Sequence, residues 1–251
     1  MTIKPNHEMR AFEAWNLLVK QANKESTITY KELGKELDIH PRVSRYFLDY
    51  IQNYCIEQKI PPITSIVVDQ KGKVGQGFIA WDADNLPEGQ QLVFNFNWDH
   101  YPNPFTYAKE NETSAQLTKE IITGKGSETV YSKVRVRGVA QSIFRAALLK
   151  VHGNKCAFCN FKITEALEAA HIVPWFESSD EEKLDIQNGL LLCSNHHKLY
   201  DSGVYFINTD FTIGVNGYKS KLEGKEIRLP KKKAHWPRID YLEKRLTMSN
   251  V

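Results

Sequence analysis

Four residues in two pairs, Cys156-x-x-Cys159 and Cys193-x-x-His196, have the types and spacing of a metal site. Soft sulfur and imidazole donors two residues apart can reach one ion, and two such pairs can close a tetrahedron around zinc. The first pair follows Gly153-Asn154, a turn signal suited to a ligand knuckle. The second lies at a predicted helix start, where residues three apart share a face. A lone free cysteine is usually a small buried hydrophobe, the reading that suits Cys55, which lies outside this set. Four ligands in step argue instead for a structural zinc.

A second set of residues is interleaved with the first. His171 sits in the apolar run Ala169-Ala170-His171-Ile172-Val173-Pro174, which reads as a short strand. A single histidine there is ordinarily a core residue. However, Asn188 precedes a second strand-like run, Gly189-Leu190-Leu191-Leu192, and His197 directly follows His196. Histidine, asparagine and histidine on strand, loop and helix would form a two-strand, one-helix finger around a metal.

The segments AAHIVPW, NGLLLCSNHHKLYDSG and FRAALLKVHGNKCAFC resemble the HNH endonuclease family, the ββα-metal nucleases. The likeness spans about residues 134 to 218 and is closest to the zinc-containing subgroup assigned to restriction endonucleases. It implies that His171 is the general base, that Asn188 orients the active-site loop and that His197 is a ligand of a catalytic divalent cation. It also puts His196 where zinc-containing relatives have a fourth cysteine. The reverse assignment, His197 to zinc and His196 to catalysis, stays open, although helical phase and the nine-residue step from Asn188 favour the first. Cleavage leaving 5′-phosphate and 3′-hydroxyl ends is a further implication.

One position departs from the family pattern. Many relatives carry a carboxylate immediately before the base, whereas this chain has Ala170. Asp201 is the expected replacement, because four residues beyond His197 on a helix it projects from the same face. Otherwise it is a turn residue ahead of Ser202-Gly203. Imidazole, carboxylate and water favour magnesium or manganese over zinc at this second site. A neutral imidazole near pH 7 could then take a proton from the attacking water.

Charge bears on the partner. The net value of +3 is weak, but Lys133, Arg135, Arg137, Arg145 and Lys150 fall in an acid-free stretch. Residues 219 to 245 are strongly basic and include Lys231-Lys232-Lys233. Basic flanks around a carboxylate-bearing centre suit a polyanion such as duplex DNA, although any single lysine is more often a solvated side chain. Arg137, Gln141 and Arg145 recur every four residues and could line a helix face along the DNA, with Val139, Ile143 and Ala147 on another.

The first half reads as a separate domain. Residues 8 to 22 have helical periodicity, Thr29 and Glu32 form a capping-box pair, and residues 42 to 58 follow the turn Asp38-Ile39-His40-Pro41. Residues 63 to 68 and 77 to 81 read as a hairpin, completing the order of a winged helix-turn-helix. TYKELGKELDIHPRVSRYFLDYI with PPITSIVVDQKGKVGQGF resembles the DNA-binding half of alkyltransferase-type proteins without their reactive-cysteine motif. Arg42, Ser44 and Arg45 would then begin a recognition helix. The aromatic-rich residues 86 to 107 read as a strand and turn closing the core, with stacking on a base as the alternative.

The expectation is therefore an α+β chain: a winged-helix-like target-recognition domain (1–107), a linker (108–132) and a ββα-metal HNH domain with structural zinc (133–251). Its expected activity is metal-dependent restriction-type cleavage of duplex DNA. A homodimer, a cognate DNA methyltransferase and a cytoplasmic setting accompany that reading, with no membrane contact. The alternatives are a noncatalytic zinc-dependent DNA-binding or regulatory protein and a less specific DNA or RNA nuclease.

Overall fold

The computed structural model describes residues 5–124, 126–134 and 136–248; Lys125 of the expected linker and Arg135 of the basic stretch lie outside them. The chain divides into two compact units, Met1–Thr113 and Ser114–Val251.

In the first unit, helix α1 (His7–Ala22) starts at Asn6, whose side chain accepts from the Glu8 and Met9 amides. Such a cap contributes about 1 kcal/mol. Its buried face, with Ala11, Ala14, Trp15 and Leu18, packs against α3 (Ser44–Gln58). Between them, α2 (Tyr30–Glu36) has the expected reciprocal capping box of Thr29 and Glu32. Gly34 lets the following turn return closely, since a Cβ there would lie 2.8 Å from the Ile39 carbonyl oxygen.

No hairpin forms from residues 63–68 and 77–81. Pro61-Pro62 leads into a 3-10 turn at Ile63–Ile66, and the buried β2 (Val67–Val68) pairs in parallel with β1 (Ile28–Thr29). The backbone of 77–79 is claimed instead by a side chain of α3: Gln52 donates to the Gly77 carbonyl at 2.9 Å and accepts from the Ile79 amide at 3.1 Å. The three-helix order is present, but the wing is absent among the described residues. The aromatic stretch is not a strand either; it forms α4 (Leu86–Phe94) and two 3-10 turns. Trp98 and Phe105 do close the core, edge-on to Trp15 at 5.7 and 6.2 Å.

In the second unit, the expected linker is largely structured. Residues Ser114–Ile122 (α5) and Ser127–Val134 (α6) are helices that pack on α7 (Arg137–His152), burying Leu117, Ile121, Val130 and Val134. Helix α7 lies against an antiparallel pair, β3 (Leu167–His171) and β4 (Gly189–Cys193), with His171 opposite Gly189 and Leu167 opposite Cys193. A Cβ at Gly189 would meet Phe144 Cζ at 2.5 Å and the Leu148 methyls at 2.8 and 2.9 Å, so any larger residue there would force these buried α7 side chains to shift. Leu190, Leu191 and Leu192 are fully buried, each worth roughly 2 kcal/mol relative to exposure. Helix α8 (Ser194–Asp201) leaves β4 directly, and β5 (Tyr205–Ile207), β6 (Ile213–Val215) and α9 (Ile239–Met248) complete the unit. As the periodicity predicts, Val139, Ile143 and Ala147 are the buried side of α7.

Candidate metal centre and active site

The knuckle carrying Cys156 and Cys159 is held by the backbone. The Cys156 amide donates to Phe161, the Ala157 amide donates to Leu191 of β4, and the Arg228 amide donates to Ala157. The Arg228 guanidinium also donates to the Cys156 and Cys159 carbonyls and to Asn160. Cys193 ends β4 and His196 lies in the first turn of α8, bringing the second pair to the knuckle. The four ligand atoms lie within 4.8 Å of one another. His196 Nδ1 is 3.2 Å from Cys193 Sγ and 3.5 Å from Cys156 Sγ. Zinc bonds of ordinary length imply tetrahedral sulfur-to-nitrogen edges of roughly 3.5 Å. The site therefore fits zinc, and His196 rather than His197 completes it. Cys55 is buried away from the cluster, its thiol pushed up to about 12 by burial.

His171 ends β3 with its ring stacked on Phe144 at 4.3 Å and edge-on to Trp175 at 5.5 Å. Its Nε2 lies 2.9 Å from the Lys183 carbonyl oxygen. A carbonyl can only accept, so Nε2 carries the hydrogen and Nδ1 of the neutral ring keeps a lone pair. Burial holds the pKa below its ordinary value of 6.5; the Lys183 contact opposes this, and the charges of Arg137 and His197 add to it.

Asn188 is fully buried between the strands. Its side chain accepts from the Val173 amide at 2.8 Å and donates to the Glu182 carbonyl at 3.0 Å, while its own carbonyl accepts from Ile172. It thus ties both arms of the loop from Ile172 to Gln187, including the Lys183 segment against His171. His197 is gripped at both nitrogens, by Glu168 at Nδ1 (2.5 Å) and by Asp201 at Nε2 (3.3 Å).

Residues 156–208 match the HNH endonuclease family model. No curated protein matches the chain. This segment is an HNH nuclease domain. The chain accordingly carries an HNH-type nuclease domain with a Cys3His zinc-binding cluster, which supports enzymatic, nuclease activity. No helix among the described residues is long and apolar enough to cross a membrane.

His171, His197 and Glu168 of the HNH domain share the wall of a cavity of about 240 Å³ with Gln141, Phe144 and Arg145 of α7. Asp201 reaches the His197 Nε2 with its side chain 59% exposed. Arg137 is exposed at the start of α7, 5.5 Å from the Trp175 ring. The Arg145 guanidinium donates to the Leu167 and Thr164 carbonyls, pinning the start of β3 from the cavity wall. In the first unit Arg42 and Arg45 are exposed and line a cavity of about 890 Å³. Ser44, placed with them on the recognition face, is fully buried and offers no surface contact.

Glu168 was not anticipated. Burial alone would raise its pKa, but hydrogen bonds from Ser194 and His197 and the charges of His197 and Arg145 bring it below the usual carboxylate value. A lone acid within the apolar strand LEAAH was the available signal.

Proposed function

We propose that this chain is a restriction-type, metal-dependent endonuclease of duplex DNA in which His171 is the general base. The supporting observation is the His171 ring itself: Nε2 is occupied by the Lys183 carbonyl, and Nδ1 is left as a proton acceptor beside the cavity that His197 also lines. In this scheme Nδ1 takes the proton of a water attacking a backbone phosphorus, and Asn188 keeps the loop in the shape that fixes the ring.

His197 and Asp201 would hold the divalent cation through Nε2 and a carboxylate oxygen, while Glu168 fixes the imidazole by accepting from Nδ1–H. That division follows from an imidazole offering one nitrogen to a metal and the other to an orienting partner. The donors are nitrogen and hard oxygen, which suits magnesium or manganese. Such an ion, when bound, supplies neutralisation of charge growing on the nonbridging and leaving oxygens. Arg137 and Gln141 would contact the flanking phosphates. The first unit would read the target with Arg42 and Arg45 of a three-helix arrangement. Cleavage of both strands by a single-centre enzyme calls for a homodimer, and a restriction role for a cognate methyltransferase. Free thiols at Cys55 and in the zinc set suit a reducing, cytoplasmic setting.

Digestion of unmodified and cytosine-modified plasmids tests the restriction assignment. Discrete fragments from one of the two substrates are expected, and a uniform smear from both at low enzyme would refute it. The pH profile is a second check. His171 titrates below its ordinary 6.5, and only its neutral form is a base. With saturating metal, the single-turnover rate should stay level from about pH 8 down to about 6.5 and fall only below that. A rate already falling tenfold per unit above 6.5 would remove His171 as the base.

A further inference from the structure

Helix α7 passes His171 at Phe144, whose ring stacks on the imidazole at 4.3 Å, and ends eight residues later at His152, on the order of 12 Å further along its axis. At that far end lies a separate cleft of about 620 Å³. Its wall contains Lys150, Lys155, Arg228, Lys231 and Lys232 and no acidic side chain. Among the described residues, none of these four lysines is in an ion pair. Arg228 spends its hydrogens on the zinc knuckle, but its charge still faces the cleft. Gathering five cations in one concavity is unfavourable unless an anion answers them.

A second, independent observation comes from His152. It is 7% exposed, lies in the same wall, and its Nδ1 has no hydrogen-bond partner. The buried Tyr200 hydroxyl also has no partner, but the His152 atom belongs to a residue of the cleft wall, where a ligand atom would complete it. Burial, then the charges of Arg228 and His235, push this ring down to about 4, so it is neutral at pH 7 and can donate from Nδ1. The last turn of a helix favours cations, which accounts for Lys150. It accounts for neither the lysines from the 231–233 run nor the orphaned imidazole nitrogen.

We infer that this cleft is a phosphate-binding site, filled by a backbone phosphate of the polynucleotide on the order of 12 Å along α7 from His171, with His152 donating to a phosphate oxygen. The choice of a polynucleotide rests on the nuclease reading; the anion site itself rests on the cleft alone. Arg137 at one end of α7 and the cleft at the other would then fix the length of substrate that the domain grips.

The test uses the full chain carrying His171→Ala, which prevents cleavage during binding. Affinity for a short duplex is measured by fluorescence anisotropy between about 50 and 200 mM salt. Comparisons are the same chain with Lys231→Gln/Lys232→Gln, with His152→Phe, and with Lys219→Gln/Lys221→Gln as a charge-matched control outside the cleft. Zinc content and thermal unfolding verify each fold. Loss of one phosphate contact should lower the log–log salt slope by roughly 0.9, with a several-fold weaker Kd, in the 231/232 variant but not in the control. His152→Phe should weaken binding with little change in slope. Equal behaviour of the two lysine pairs, or no change in either cleft variant, would overturn the site. Binding of inorganic phosphate that His152→Phe abolishes, with the duplex slope untouched, would overturn the backbone assignment in favour of a free anion. Plasmid cleavage by the enzyme with His171 intact, run alongside, separates the two ideas: cutting with an unaltered slope removes the cleft alone, whereas neither cutting nor duplex binding removes the nuclease reading.

Discussion

Cys156→Ala or Cys193→Ala should unfold the second unit at temperatures where the unsubstituted protein is folded, and a zinc chelator should do the same to the native sequence. The reason is the position of the ligands. Cys193 is the last residue of β4, opposite Leu167, and passes the chain directly into α8, which carries His196 and His197. The knuckle bonds to β4 through Ala157 and to the C-terminal part of the chain through Arg228. One ion therefore ties the knuckle to the β4–α8 junction. Structural zinc in small finger domains binds with about 10–16 kcal/mol of apparent free energy, comparable to the whole stability of a domain, about 5–15 kcal/mol. The Cys159 thiol is pushed up to about 11 by burial, then by the neighbouring Cys156 and Cys193 sulfurs. Ligation must release such protons, so zinc retention should weaken as pH falls. Expected in circular dichroism is a fall of more than about 10 °C in the midpoint, together with loss of zinc by elemental analysis. An unchanged midpoint and zinc content in Cys156→Ala would show that the cluster is not structural.

The zinc set was legible from sequence because each ligand pair is local: two intervening residues fix both side chains on one turn or one helix face. The same holds for the Thr29–Glu32 capping box and for the buried stripe Val139, Ile143, Ala147. Features decided by distant partners were not legible. Residues 77–79 have strand-like composition, but their backbone pairs with the Gln52 side chain, twenty-five residues earlier for Gly77. Residues 114–134 carry the Gly124 and Gly126 breaks of a linker, yet their apolar faces have α7 to pack against. Arg145 sits on the helical face that spacing assigned to it, but its bonds to the carbonyls of Thr164 and Leu167, nineteen and twenty-two residues away, are set by the tertiary fold. Glu168 escaped notice because its partner, His197, lies twenty-nine residues away.

His171→Ala should leave the fold, the zinc and duplex binding in place while removing cleavage. The side chain is excised from the cavity edge, where it stacks on Phe144 and meets the Lys183 carbonyl. The loop it touches remains tied by Asn188 to Val173 and Glu182, so the loss should fall on proton transfer and not on architecture. A positioned general base is worth about 10²–10⁴-fold in rate, or roughly 3–5 kcal/mol of barrier. Neither Glu168 nor Asp201 is placed to substitute, since each is engaged with a nitrogen of His197. The decisive measurement is the single-turnover cleavage rate of a duplex substrate with magnesium or manganese, for the native sequence and His171→Ala side by side, with zinc content and duplex affinity recorded on the same samples. Expected is a rate at least about a hundredfold lower in the variant, with unchanged zinc and affinity; cleavage by both proteins within a factor of a few, or by neither, would contradict His171 as the base of an active nuclease.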